Sequence, residues 1–146
     1  MEYFEDREVG ETRTFGGYEV SEDEIVTFAE QYDPQSFHVD PDAAAESMFG
    51  ELVASGWHTA AMTMRMLVDE VLDDEGALGA VGVDELRWPE PVRPGDQLHL
   101  ETEVLERERD YRPGVGLVRS RVETVREDGT VVQSFVSRGL YRQREG

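Results

Sequence analysis

The 146-residue chain contains no cysteine and no lysine. The first absence excludes disulfides, thiolate nucleophiles and thiolate metal sites. The second leaves arginine as the only strongly basic side chain. There are 14 basic residues against 33 Asp and Glu, a formal net charge of −19. No run approaches the roughly 18 consecutive apolar residues that a membrane-spanning helix needs. The opening stretch MEYFEDREVGE is acidic and lacks the basic flank and apolar centre of a secretory signal. We therefore expect a soluble, cytoplasmic protein. A Gly-rich phosphate loop and HExxH spacing are also missing, and the three histidines are dispersed, so no metal site is expected. Without a linker, repeat or low-complexity segment, the expectation is a single domain over residues 1–146, long enough to bury a core.

A charge of this size repels itself in dilute salt. At molar salt the Debye length falls to roughly 3 Å and the repulsion is screened. The acids are scattered along the chain and not gathered into a tail. That distribution points to halophilic adaptation, a surface suited to a salt-rich cytoplasm, ahead of a ligand-repelling surface or a metal buffer. The same charge argues against nucleic acid as a partner.

The first half reads mainly as helix. Ser21 followed by Glu24 makes a capping-box start, and Ile25, Phe28 and Ala29 continue a helical stripe to Tyr32. Pro34 stops that helix, because it disfavours helical geometry at Asp33 and lacks a backbone donor. Asp33 and His38 are thus expected on a helix exit and loop. Asp40 caps a second helix starting at Pro41 and running to about Phe49, with Gly50 ending it. A third and longest helix runs from Gly56 to about Leu72. Trp57, Ala60, Ala61, Met64, Leu67, Val68, Val71 and Leu72 make its apolar stripe, with Thr63, Arg65 and Asp69 opposite, beside Met62 and Met66.

The second half changes to period two. Leu98, Leu100, Thr102 and Val104 alternate with Gln97, His99, Glu101 and Glu103, and Val118, Ser120, Val122 and Thr124 form a weaker series. Asp128-Gly129 is a hairpin turn leading into a strand over residues 130–142, and Pro94-Gly95-Asp96 is another turn, preceded by a strand from Gly79 to Trp88. With an early strand near Thr12 to Tyr18, the pattern predicts an α+β fold. About five antiparallel strands wrap one long, buried helix.

Chemistry concentrates in YDPQSFHVDPDAAAESMFGELVASGWHT, residues 32–59. Asp33 precedes His38 by five residues, and Gly56 opens the long helix. A carboxylate, an imidazole and a helix N-terminus are the parts needed to move a proton while stabilising an oxyanion. The first N–H groups of a helix lack intrahelical partners and carry positive partial charge. A glycine there also lets an oxygen approach closely, which makes the Gly56 N–H the candidate oxyanion donor.

This layout resembles the hot-dog fold, and more narrowly the MaoC-like dehydratases, which include the (R)-specific enoyl-CoA hydratases. The family pattern Asp, any residue, Asn, Pro, an apolar residue, His reads here Asp33-Pro34-Gln35-Ser36-Phe37-His38. Gln35 and Ser36 replace the family's Asn and Pro, while Ala44 is present at the family's position six residues beyond the His. Leu86-Arg87-Trp88 and Pro91-Val92-Arg93-Pro94-Gly95-Asp96 support the likeness. Ser55 stands where a His commonly precedes the glycine, and Met64 where a Ser often lies in the helix.

The resemblance implies an acyl-thioester hydratase/dehydratase, a lyase interconverting trans-2-enoyl-CoA and (R)-3-hydroxyacyl-CoA in fatty acid metabolism. It implies no metal or redox cofactor. It also implies a homodimer, or a higher homo-oligomer, with the site near the interface. Asp33 becomes the base that activates water and His38 the partner that holds it and supplies the α-proton, with a version in which one group makes both transfers equally open. Ser55, Trp57 and Met64 are the candidate substrate-binding positions, with Trp57 suited to wall the site or simply to pack. Arg87, Arg93, Arg109 and Arg112 are candidates to meet CoA phosphates. The substrate is an acyl-CoA or an acyl-carrier thioester. The rivals are a hot-dog acyl-CoA thioesterase and a non-catalytic acyl-binding subunit. The first usually takes its acid from the start or middle of the central helix, where Gly56-Trp57-His58-Thr59 offers none.

Overall fold

The computed structural model describes residues 2–72 and 76–145. A 3-10 turn at Phe4–Asp6 leads into β1 (Thr12–Glu19), α1 (Glu22–Tyr32), α2 (Ser36–Val39), α3 (Pro41–Ala45) and α4 (Gly56–Leu67). After α4 the backbone widens into a π-turn at Val68–Leu72. The remaining strands are β2 (Ala77–Arg87), β3 (Gln97–Arg112), β4 (Val115–Arg126) and β5 (Val131–Arg142). The five strands form one antiparallel sheet in the order β1-β3-β4-β5-β2. The sheet curls around α4, as the alternation of patterns led us to expect, and this is the hot-dog arrangement that the resemblance implied.

Local chemistry explains the helix boundaries. Ser21 caps α1 by accepting the Glu24 N–H, and Glu22, Asp23 and Glu24 set negative charge at its positive end. Ile25 and Ala29, both fully buried, turn α1 onto the core. Burying a residue such as Ile25 is worth about 1.5–3 kcal/mol. Asp40 accepts the Asp42 N–H at 3.0 Å and Pro41 occupies the first position of α3, as expected. That helix ends earlier than its sequence suggests, at Ala45, and residues 46–51 form turns. His38 lies on the short helix α2, where a loop was expected.

The α4 axis falls where the sequence predicts, but its phase does not. The buried face is His58, Thr59, Met62, Thr63, Met66 and Leu67. Of the expected apolar stripe, Trp57, Ala61, Met64 and Val68 lie on the outer side. Trp57 is 59 % exposed and Met64 51 %. The polar residues go inside because each finds a partner there. Thr63 bonds Thr59 and Thr124, and His58 bonds Glu24. Gly16 lets β1 bulge under α4. It sits at φ +89°, and a Cβ there would lie 2.8 Å from Met66 Sδ.

The core of buried apolar side chains runs between α1, α4 and the concave sheet, and includes Val20, Ile25, Leu52, Met62, Met66, Leu98, Leu100, Val122 and Phe135. β3 and β4 run well past the alternating segments read from sequence. Residues 105–112 are almost wholly polar, yet they pair with β4 and carry the cross-strand ion pair Arg119–Glu106 at 3.0 Å. No described helix is long and apolar enough to cross a membrane.

Candidate active site

Asp33 caps the C-terminus of α1, its N–H bonded to the Ala29 carbonyl at 2.8 Å. Pro34 then turns the chain so that α2 brings His38 back beside it. The imidazole is buried, with Nε2 3.4 Å from Asp33 Oδ2. Its Nδ1 lies 2.6 Å from the Val53 carbonyl oxygen. A carbonyl can only accept, so Nδ1 carries a proton and Nε2 is the ring atom that faces the carboxylate. Phe37 packs edge-on against the ring, with centroids 4.4 Å apart.

Two side chains hold Asp33. Gln35 Nε2 donates to Oδ1 at 2.8 Å, and Ser55 Oγ donates to Oδ2 at 2.8 Å. Burial pushes the carboxyl pKa up. The Gln35 and Ser55 hydrogen bonds and the nearby His38 outweigh it, and the net shift is downward. Ser55 is fully buried and also caps α4, accepting the Trp57 N–H at 3.2 Å. One hydroxyl thus joins the carboxylate to the start of the central helix. Gln35, which in sequence marks only a departure from the family pattern, is a direct partner of Asp33.

Gly56 is the first residue of α4, and its N–H has no acceptor among the described residues. Its lack of a side chain has a definite cause. A Cβ there would lie 2.5 Å from Trp88 Cε2, so the indole rests on the glycine. Trp88 is itself held by Nε1 donating to Gln133 Oε1 at 2.8 Å, and Trp57 meets it edge-to-face at 5.2 Å. A pocket of about 490 Å³ opens here, lined by Phe37, His38, Gly56, Thr59, Trp88 and Val132 among others.

The remaining candidates, and the other titratable groups around α4, separate from this cluster. Met64 lies on a second, apolar cavity of about 450 Å³ farther along α4. His58 points to α1, its Nε2 3.1 Å from Glu24 Oε1 and its ring stacked on Phe28. Burial lowers the His58 pKa despite Glu24. Tyr18 also bonds Glu24, and burial together with that carboxylate pushes its pKa up to about 12. Asp69 lies past α4 in the π-turn, paired with Arg65. Arg109 pairs with Glu5 and Arg93 with Glu51, whereas Arg87 has no carboxylate partner among the described residues. Among the described residues no group of three or more His, Asp or Glu side chains is arranged to hold a metal ion.

The chain is similar to known proteins in both sequence and fold. Residues 5–127 match the MaoC like domain family. The 3-hydroxyacyl-thioester dehydratase Z of Mycobacterium tuberculosis is 30% identical over 127 residues, spanning 84% of this chain and 82% of that protein. The crystal structure of the MaoC-like dehydratase from Rhodospirillum rubrum superimposes with a TM-score of 0.91 at 41% identity, over 100% of both chains. The (R)-hydratase PhaJ1 of Pseudomonas aeruginosa superimposes with a TM-score of 0.76 at 26% identity, over 98% of this chain and 86% of that one. In sequence and in fold alike, the chain belongs to the MaoC-like dehydratase family.

Proposed function

We propose that this protein hydrates trans-2-enoyl thioesters to (R)-3-hydroxyacyl thioesters, and catalyses the reverse dehydration. The observation that carries this reading is the Asp33 Oδ2–His38 Nε2 approach of 3.4 Å beside a pocket that also contains Gly56. A water beside the two groups donates to the Asp33 carboxylate and accepts from the His38 Nε2–H. Asp33 takes the water's proton as its oxygen bonds to the β-carbon. His38 gives its Nε2 proton to the α-carbon, and transfer of a proton from Asp33 to His38 restores both. The lowered pKa of Asp33 keeps the carboxylate ionised, and so free to accept the proton.

The thioester oxygen gains negative charge meanwhile, and the Gly56 N–H at the α4 N-terminus, without an acceptor among the described residues, is the donor suited to it. Arg87, next to Trp88 and without a carboxylate partner among the described residues, is the arginine best suited to a CoA phosphate. The protein acts as a homodimer joined through β2. That strand is a sheet edge and bears exposed Leu78, Val81 and Val83, of which Leu78 and Val83 line the same apolar cavity as Met64.

The test is hydration of crotonyl-CoA in molar salt, followed by loss of the enoyl-thioester absorbance. Asp33→Asn should lower the rate by about 10²–10⁴-fold. An unchanged rate in that variant overturns the assignment, and release of free thiol in place of hydration marks a thioesterase.

A further inference from the structure

The pocket beside His38 and the apolar cavity beside Met64 both lie along α4, and a compact polar cluster separates them. On α4 the first reaches Thr59 and the second begins at Met64 and Leu67, with Thr63 between. On β5, Val132 lines the first and Phe135 the second, with Gln133 between. On β4, Val122 floors the apolar cavity and Thr124 follows on the same face. Thr124 and Gln133 are cross-strand partners, so they form the next row of the concave floor.

Thr63, Thr124 and Gln133 are fully buried, and their hydrogen bonds close on one another. Trp88 Nε1 donates to Gln133 Oε1 at 2.8 Å, which fixes the amide orientation because an indole N–H can only donate. Gln133 Nε2 donates to Thr63 Oγ1 at 2.9 Å and more weakly to Thr124 Oγ1 at 3.4 Å. Thr124 Oγ1 lies 2.6 Å from Thr63 Oγ1, and Thr63 passes its own proton to the Thr59 carbonyl at 2.8 Å. Every polar atom of the three side chains is used, so the cluster has no need of water and no reason to open.

We propose that Thr63, Thr124 and Gln133 form a polar bar that restricts the acyl group to short chains, by shutting the pocket beside His38 off from the apolar cavity beyond. This rests on the hydratase reading, which brings the thioester to Gly56. An acyl chain running from there along the concave face meets hydrogen-bonded side chains where an open tunnel would offer methylene contacts. In an open apolar tunnel each added methylene raises affinity roughly fourfold. With the bar in place the added methylenes find no such site.

The test is calorimetric binding of two saturated ligands, butanoyl-CoA and decanoyl-CoA, to the full chain in molar salt. Neither ligand requires turnover. The wild type should bind decanoyl-CoA no more tightly than butanoyl-CoA. The Thr63→Ala/Gln133→Ala double variant should shift the ratio of the two dissociation constants by at least about tenfold in favour of decanoyl-CoA. Wild-type preference for decanoyl-CoA by more than about tenfold overturns the bar, and that result stands even when the variant fails to fold. An unchanged ratio in the folded variant also overturns it. Failure to hydrate crotonyl-CoA, with both ligands still bound, sinks the hydratase reading while the binding ratio decides the bar. Failure to bind either ligand overturns both.

Discussion

Replacing Ser55 with alanine removes two hydrogen bonds at once, one to the Trp57 N–H at 3.2 Å and one to Asp33 Oδ2 at 2.8 Å. Loss of the N-cap costs about 1 kcal/mol. A hydrogen bond to a charged group contributes about 1.5–3 kcal/mol, part of which water and the remaining Gln35 bond recover. The expected loss is therefore about 2–3 kcal/mol near neutral pH, a fall in Tm of roughly 4–12 °C for a chain of this size. The two parts depend differently on pH. Asp33 has a folded pKa below the ordinary 3.8. Its ionised contacts thus contribute stability above that value, which is lost as pH falls through the lower folded value. Ser55→Ala raises the folded pKa and so removes part of that contribution. Unfolding in molar salt near pH 7 and at a pH below the folded value of Asp33 should show the variant's deficit shrinking toward about 1 kcal/mol, the cap alone. Any acid limb of the hydration pH profile set by Asp33 should move upward. An equal deficit at both pH values, with an unmoved acid limb, would refute the coupling of Asp33 to the helix through Ser55.

Gly56→Ala should destabilise by about 1–3 kcal/mol through the clash with Trp88. Most of that cost should vanish in a Trp88→Leu background, and a double-mutant unfolding cycle measures the difference. His58 has a pKa held below its ordinary 6.5 by burial. Stability should therefore fall as pH drops below about 6.5, since the unfolded chain takes up the proton first. His58→Gln should flatten that slope in pH-dependent thermal melts. With −19 charges, Tm should rise from dilute to molar salt, and a salt-independent Tm would contradict the self-repulsion argument. Val83→Arg on the β2 edge should shift a dimer toward monomer in sedimentation, and an unaltered mass removes β2 as the joint.

The sheet was legible because its signals are local. Leu98, Leu100, Thr102 and Val104 alternate within one strand, and Asp128-Gly129 marks a turn with its own backbone preference, Gly129 at φ +89°. Asp33 was legible for the same reason, since Pro34 ends a helix by its own covalent geometry. The phase of α4 was not. Thr59 and Thr63 rank as polar in any window, and only Thr124 and Gln133, 61 and 70 residues beyond Thr63, make Thr63 a core residue. The Ser55–Asp33 bond spans 22 residues and the Trp88–Gln133 bond 45, so neither leaves a periodic trace. The family pattern drew attention to residues 32–59. It left unread the partners that hold Asp33 and the cluster that bounds its pocket.

The Trp57–Trp88 contact has a practical consequence. The chain has only two tryptophans, and their ring centroids lie 5.2 Å apart at the mouth of the pocket beside His38. With excitation selective for indole, the ultraviolet emission of the protein therefore originates at this pocket, with no distant indole to dilute it. A thioester that reaches Gly56 must touch or displace the Trp88 ring that rests on it. The molecule thus carries a built-in optical probe of its own occupancy. Stopped-flow emission on the unlabelled protein can time ligand arrival separately from the chemical step.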